Sequence, residues 1–281
     1  MSVQKNHSKK MCHAEAVSAS VLKEIPNPSE QKITRVRNDN SVEIFKIDGV
    51  GVNLSRFHPC TLQEKKSLRA ELGYSENDFV ITVVAELNKN KNQIMLVRAV
   101  PELAKIIPGL KILLIGKETL PIVREFVQKE NLEKYVEFLG YRRDVEKLTM
   151  MSDVAFSASI REGQGLNLVE AMACGLPVVA SNIRGHRDVI NNGWNGILCD
   201  LSNQNSFQDA IILLYKNPSL REEMGRRNVC EAKKYSVDIA VKKMAGIYSE
   251  IISENVGGGK KNNCRVVFQF CLPSFLNVEA A

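Results

Sequence analysis

The residues best placed to do chemistry lie together in one short stretch, Glu162-Gly163-Gln164-Gly165, with Glu170 following it. Glycine adopts backbone angles that other residues avoid and lets a ligand approach the main chain closely. Apolar residues at Leu166, Val169, Met172 and Ala173 have helical spacing, so the spacing predicts a helix over Leu166–Cys174 that opens out of the turn. A helix N-terminus reached through such a turn presents unpaired N–H groups and the positive end of the helix dipole to an anion. Glu170, about one turn into that helix, would then stand at the edge of the same pocket, where a carboxylate can accept both hydroxyls of a ribose. A plainer account also fits. A Gly-Gln-Gly turn is common, and a glutamate in a first helical turn is ordinary dipole compensation. The residues of this stretch alone leave both accounts open.

These groups need a scaffold. Val154–Ala158 and Val178–Ala180 are short apolar runs that predict buried strands on either side of the helix, which Gly175 and Pro177 stop. Upstream, Glu43–Ile47, Phe79–Ala85, Lys111–Ile115 and Val136–Leu139 also read as strands. Between and after them, Leu62–Leu72, Gln93–Ile107, Leu120–Glu130 and Val145–Met151 read as helices, with Pro101 expected to kink or split the second. Downstream, Gly185–Asp188 opens a short helix and Ile197–Cys199 is a last strand. Ser206–Lys216, Leu220–Lys234 and Val237–Glu254 are helical. About six strand–helix units predict an α/β fold with a doubly wound parallel sheet, Rossmann-like. Ligands of such sheets bind beyond the carboxyl ends of the strands. The loops after Ala85, Gly116, Gly140, Ala158 and Ser181 all open at that edge.

The run Arg161-Glu162-Gly163-Gln164-Gly165-Leu166-Asn167-Leu168-Val169-Glu170-Ala171-Met172-Ala173-Cys174-Gly175-Leu176-Pro177-Val178-Val179-Ala180-Ser181 resembles the donor-binding signature of retaining glycosyltransferases of the GT-B fold, the glycosyl transferases group 1 of bacterial polysaccharide and lipid synthesis. Two glutamates separated by seven residues flank a Gly-rich turn in that family, as Glu162 and Glu170 do here. The similarity extends over roughly Ile44 to Ile252, and Asp48–Pro59 resembles the segment that joins the family's two domains. The resemblance implies one of the two Rossmann domains of a GT-B enzyme. Residues 43–255 would form the nucleotide-sugar-binding domain, 1–42 a disordered or weakly helical non-family segment, and 256–281 a linker and non-family tail. A whole acceptor-binding domain precedes the connector in the family. The chain is therefore expected to carry the donor-binding half alone, as a truncated product or with its partner domain supplied separately.

Residue by residue, the resemblance implies that Lys91 neutralises the donor diphosphate and Glu162 positions the sugar hydroxyls, which makes these two the catalytic candidates. It implies that Glu170 holds the ribose and that Gly163, Gly165, Leu166 and Asn167 present backbone amides. Tyr141 and Arg142 would lie against the nucleobase. Asp188 stands in the acidic position of a Gly-x-x-Glu loop. His186 beside it reads either as a polar loop residue, the slightly favoured account, or as a contact to the donor's sugar or phosphate. One departure stands out. Glu86 and Ala85 occupy the places of the family's Arg and Gly, so the cationic site is thinner here unless Lys89 substitutes.

The implied reaction moves a sugar, with retention, from a nucleotide diphosphate sugar (a UDP-sugar is favoured) to a hydroxyl of a lipid-linked or polysaccharide acceptor, with no cofactor. The other reading is a donor-binding module that does not turn over alone. A dinucleotide oxidoreductase or nucleotide-sugar epimerase is disfavoured, because no Gly-x-Gly-x-x-Gly follows a strand. A net charge of +6 is no nucleic-acid signature and suits an anionic ligand or peripheral contact with anionic lipid at the inner face of a plasma membrane. Seven scattered cysteines and four histidines fit no metal-ligand spacing, and the odd cysteine count points to a reducing cytoplasm. The basic N-terminus lacks the apolar run of a secretory signal.

Overall fold

The computed structural model describes residues 34–37, 42–46, 51–257 and 265–269. Most of the 1–42 segment, the start of the Asp48–Pro59 connector and most of the 256–281 tail lie outside the described residues. Strand β1 (Thr34–Arg37) falls in the segment read from composition as disordered or weakly helical. It pairs antiparallel with β2 (Val42–Lys46), which pairs parallel with β9 (Arg265–Gln269).

The main sheet has six parallel strands: β3 (Phe79–Val84), β4 (Leu110–Ile115), β5 (Val136–Gly140), β6 (Val154–Ser157), β7 (Val178–Ser181) and β8 (Gly196–Cys199). Their spatial order is β5-β4-β3-β6-β7-β8. The sequence explains the arrangement. Runs such as Phe-Val-Ile-Thr-Val-Val and Leu-Lys-Ile-Leu-Leu-Ile are buried on both faces, as strands sandwiched between helical layers must be. Alternate residues supply the two layers. Phe79, Ile81, Val83, Ile112 and Leu114 pack with helices α2 (Ile94–Ile106) and α7 (Gln204–Lys216). Val80, Leu113 and Ile115 meet Leu148 of α4 (Val145–Met150) and Met151 just after it, while Val178 and Ala180 meet α5 (Leu166–Ala173). The expected split at Pro101 does not occur, and α2 runs unbroken across it. Leu96, Val97, Val100 and Leu103 are fully buried along that helix, and their packing outweighs the one backbone bond that proline removes. Among the described residues, no helix is long and apolar enough to cross a membrane.

Strand β3 is paired on one side with β4 and on the other with β6. The connections run outward in opposite directions from this pair, which is the switch point of a doubly wound sheet. A buried ion pair fixes β3 and β6 at their other ends. Asp153 accepts from Lys65 Nζ at 2.8 Å, Arg69 Nη2 at 2.7 Å and the Val80 amide at 2.8 Å. Arg69, on α1 (Leu62–Leu72), is buried and also donates to the carbonyls of Met151, Glu76 and Asp78. Asp153→Ala leaves a buried guanidinium without its counter-charge. Chemical denaturation should show a loss of about 3 kcal/mol or more. Lys65→Ala, which removes the more exposed partner, should cost less than about 1 kcal/mol.

Candidate functional site

The loops that follow β3 and β6 meet at the switch point, and Asn90 ties them together. The Ile160 amide donates to Asn90 O at 2.7 Å and the Arg161 amide to Asn90 Oδ1 at 3.1 Å, while Asn90 Nδ2 donates to Arg161 O at 2.9 Å. Asn88 Oδ1 accepts from the Lys91 amide at 2.9 Å, and Asn92 takes a positive φ of 53°. These asparagine-built turns aim Lys91 across the gap, where Nζ pairs with Glu162 Oε2. The two side chains are only 22% and 17% exposed, so the pair is partly desolvated.

Helix α5 starts against this pair. Gly165 caps it in the left-handed conformation at φ 68°, and no side chain caps the N-terminus. The first amides of α5 therefore keep the capacity to meet an anion. Asn167 does more than offer its amide, since its Nδ2 donates to Val84 O at 2.9 Å and binds the helix to the end of β3. Behind the turn, Gly185 of α6 (Arg184–Arg187) is packed so closely that a Cβ there would lie 2.3 Å from Glu162 O and 2.7 Å from Gly163 O. Only glycine lets α6 support the turn.

Glu170 is half-buried one turn further along. Burial raises its carboxyl above the ordinary carboxylate range, and the nearby Arg56 charge pulls the other way. Arg56 belongs to the connector before α1. Its Nε and Nη2 donate to Glu146 Oε2 at 2.9 and 2.7 Å, and Nη2 also reaches Arg143 O at 2.6 Å. Arg143 follows Tyr141, which is 79% exposed, and Arg142, whose guanidinium is held by Asp144 at 2.8 and 2.6 Å. Sequence reasoning missed Arg56 and Asn90. The Asn-rich composition of 88–92 signals tight turns, but nothing local signals that Arg56 reaches residues some ninety positions away.

One expectation needs correction. His186, favoured as a polar loop residue, lies on α6 with no exposed surface. Its Nδ1 is 2.9 Å from Ser181 O, and burial pulls its pKa below the ordinary histidine value. Asp188 is exposed. It borders a cleft of about 690 Å³ lined by Asn182, Arg187, Trp194 and Lys234, among others, which Lys91, Glu162 and Glu170 do not line. Glu86 is exposed, and its carboxylate is met by Asn88 Nδ2 at 3.3 Å. Among the described residues, no group of three or more His, Cys, Asp or Glu is placed to hold a metal ion.

Residues 64–229 match the family described as glycosyl transferases group 1. EpsD of Bacillus subtilis (strain 168) is 37% identical over 205 residues, 73% of this chain and 54% of that protein. The Escherichia coli UDP-Gal:alpha-D-GlcNAc-diphosphoundecaprenol alpha-1,3-galactosyltransferase is 31% identical over 58% of this chain and 43% of its own length. The chain thus spans about half the length of the curated relatives it matches. Among solved structures, Anabaena Alr3699/HepE in complex with UDP-glucose aligns with a TM-score of 0.65 and 25% identity, over 71% of this chain and 56% of that one. This bears out the α/β doubly wound fold of a GT-B half.

The raised Glu170 carboxyl makes a testable statement about stability. An ionised carboxylate that is half-buried costs free energy, so the folded chain binds this proton more readily than the unfolded chain. The contribution is fully present below the ordinary carboxylate pKa and is lost as pH rises through the raised folded value. Glu170→Gln, which cannot ionise, should melt higher than the unchanged chain at pH 7 without added ligand. The gap should close below about pH 4. Thermal melts from pH 4 to 8 measure it, and equal melting at pH 7 would contradict the assignment.

Proposed function

The chain belongs to the glycosyl transferases group 1, and on that premise we propose that it holds a nucleotide diphosphate sugar at the switch point and serves transfer of the sugar, with retained configuration, to a hydroxyl acceptor. The observation that carries this reading is the pairing of Lys91 with Glu162 in front of an uncapped helix N-terminus, with Glu170 one turn behind. Each part answers a need of the reaction. A departing diphosphate gains negative charge, and preorganised donors stabilise it where it forms. Lys91 and the amides of Gly163, Gly165, Leu166 and Asn167 are such donors. Glu162, whose carboxylate already engages Lys91, would orient the sugar hydroxyls beside the anomeric carbon. Glu170 would accept the ribose hydroxyls, and binding would favour its ionised form. Tyr141 and Arg142 would flank the base. Glu162 is not assigned as a nucleophile.

A uridine diphosphate sugar is the favoured donor, supported by the UDP-glucose held by the Anabaena neighbour. A lipid-linked or polysaccharide acceptor is supported by the diphosphoundecaprenol substrate named for the Escherichia coli relative, and peripheral contact with a membrane would follow from such an acceptor. We read no cofactor into the site, because the ammonium and amides supply the charge compensation. The second reading is a donor-binding module that holds the nucleotide sugar without turning it over alone.

Titration calorimetry with UDP and UDP-glucose tests the donor site. Lys91→Ala and Glu170→Ala should each weaken UDP binding about tenfold or more, the cost of removing a charged hydrogen-bonding partner. Glu86→Gln, which deletes a like charge near the diphosphate, should tighten it. Absence of saturable binding by the unchanged chain would overturn the reading. Product formed from labelled UDP-sugar and a diphospholipid acceptor would favour the transferase over the binding module.

A further inference from the structure

Beneath the Lys91–Glu162 pair runs a line of buried polar side chains that the proposed reaction does not use. Ser159, Ser181 and His186 have no exposed surface and Ser157 is 5% exposed. Ser159 Oγ donates to Glu162 Oε2 at 3.2 Å and stands 3.2 Å from Ser157 Oγ, which in turn lies 3.4 Å from His186 Nε2. On the far side of the ring, Nδ1 is 2.9 Å from Ser181 O. Ser181 Oγ donates to Ser159 O at 2.6 Å, so the same strand end that anchors the imidazole also anchors the backbone of the serine that reaches Glu162.

The proton positions follow from the partners. A carbonyl oxygen only accepts, so the Nδ1 facing Ser181 O carries the hydrogen. Burial disfavours the charged ring, which leaves Nε2 as an acceptor for the Ser157 hydroxyl. That uses the one Ser157 hydrogen, so no hydrogen bond joins Ser157 to Ser159, and His186 acts on Glu162 through its packing under the turn and the Ser181 anchor it shares with Ser159. The Ser159 hydrogen goes to Glu162, because a bond to a carboxylate is the stronger choice. Glu162 itself sits on a turn beside two glycines, and a lysine on a four-carbon stem does not fix the orientation of a carboxylate. A hydroxyl on a buried, doubly anchored serine does. The imidazole also underlies the turn directly, since a Cβ on Gly165 would lie 3.4 Å from His186 Cδ2.

We propose that Ser159 and His186 are positioning residues for Glu162, and that through it they set the affinity of the site for the sugar portion of a nucleotide sugar while leaving the nucleotide portion untouched. This rests on the donor site proposed above. The ligand class is set by geometry, since Ser159 acts on Glu162 while Glu170 lies outside the line.

The test compares two ligands on the same variants. Calorimetry with UDP and with whichever of UDP-glucose and UDP-N-acetylglucosamine the unchanged chain binds more tightly gives two affinities per variant. Ser159→Ala should weaken the nucleotide sugar about tenfold and change UDP by less than about twofold. His186→Asn, whose amide can still donate to Ser181 O but leaves the space beneath Gly165 unfilled, should lose part of the same increment. Thermal melts establish that each variant is folded. Should either variant fail to fold, the unchanged chain supplies a second measurement: nitrogen-15 NMR at about pH 8, where a histidine is neutral, should find His186 as the Nδ1–H tautomer. Loss of UDP and nucleotide sugar in equal measure would mean a general structural role and overturn the proposal. So would unaltered affinities, or the opposite tautomer. If the unchanged chain binds neither ligand, the donor-site reading itself falls and the positioning role with it.

Discussion

Lys91 and Glu162 reach one another only because β3 is hydrogen-bonded to β4 on one side and to β6 on the other. Everything else at the site depends on that pairing. It places two loops of different origin side by side, and Asn90 then closes the gap with three hydrogen bonds to Ile160 and Arg161. The register matters as much as the neighbour. Ile81 opposes Val154 and Thr82 opposes Ala155 in the parallel ladder. A slip of one residue would exchange the two buried faces of a strand whose Val80, Ile81 and Val83 are all inside. The hydrophobic pattern of β3 therefore does two jobs: it stabilises the sheet and aligns a lysine with a carboxylate.

The elements were legible in the sequence for a related reason. Strands buried on both faces read as continuous apolar runs, and Phe79–Val84, Leu110–Ile115 and Val178–Ser181 stand out without ambiguity. The turn at Gly163–Gly165 was legible through its glycines, and the helix after it through spacing. His186 was not. Helix α6 is four residues long, too short to carry a period, and its sequence Arg-Gly-His-Arg looks like a polar loop. The histidine is inside because Ser157, at the end of β6, and Ser181, at the end of β7, converge on it. No window of sequence contains that convergence. Arg56 escaped for the same reason, since its partners Arg143 and Glu146 lie 87 and 90 positions along the chain.

The electrostatics of the site are more frugal than the net charge of +6 suggests. Around the candidate site three cations are already engaged: Lys91 with Glu162, Arg56 with Glu146, Arg142 with Asp144. Glu86 adds an exposed negative charge on the loop that carries Lys91. Fixed backbone dipoles then have to carry a larger share of anion stabilisation. The close packing at Gly185 makes sense on these terms. Amides stabilise charge without reorganising only if the turn that holds them cannot shift, and α6 is pressed directly against the carbonyls of Glu162 and Gly163.

The connector is the other end of the same argument. Val52 is held to the start of the last long helix, its amide donating to Tyr235 O at 2.7 Å and its carbonyl accepting from Val237 at 3.0 Å. Four residues on, Arg56 bridges Glu146 and the Arg143 carbonyl and lends its charge to Glu170. A segment that could have served as a mere tether is thus bound to the residues around Glu170. Any ligand that draws on Glu170 or on the loop through Arg143 acts against the same guanidinium. By reciprocity, any force that displaces the connector changes how that ligand is held. The fold brings Lys91 and Glu162 together at the switch point, and it ties the connector before α1 to the residues beside Glu170.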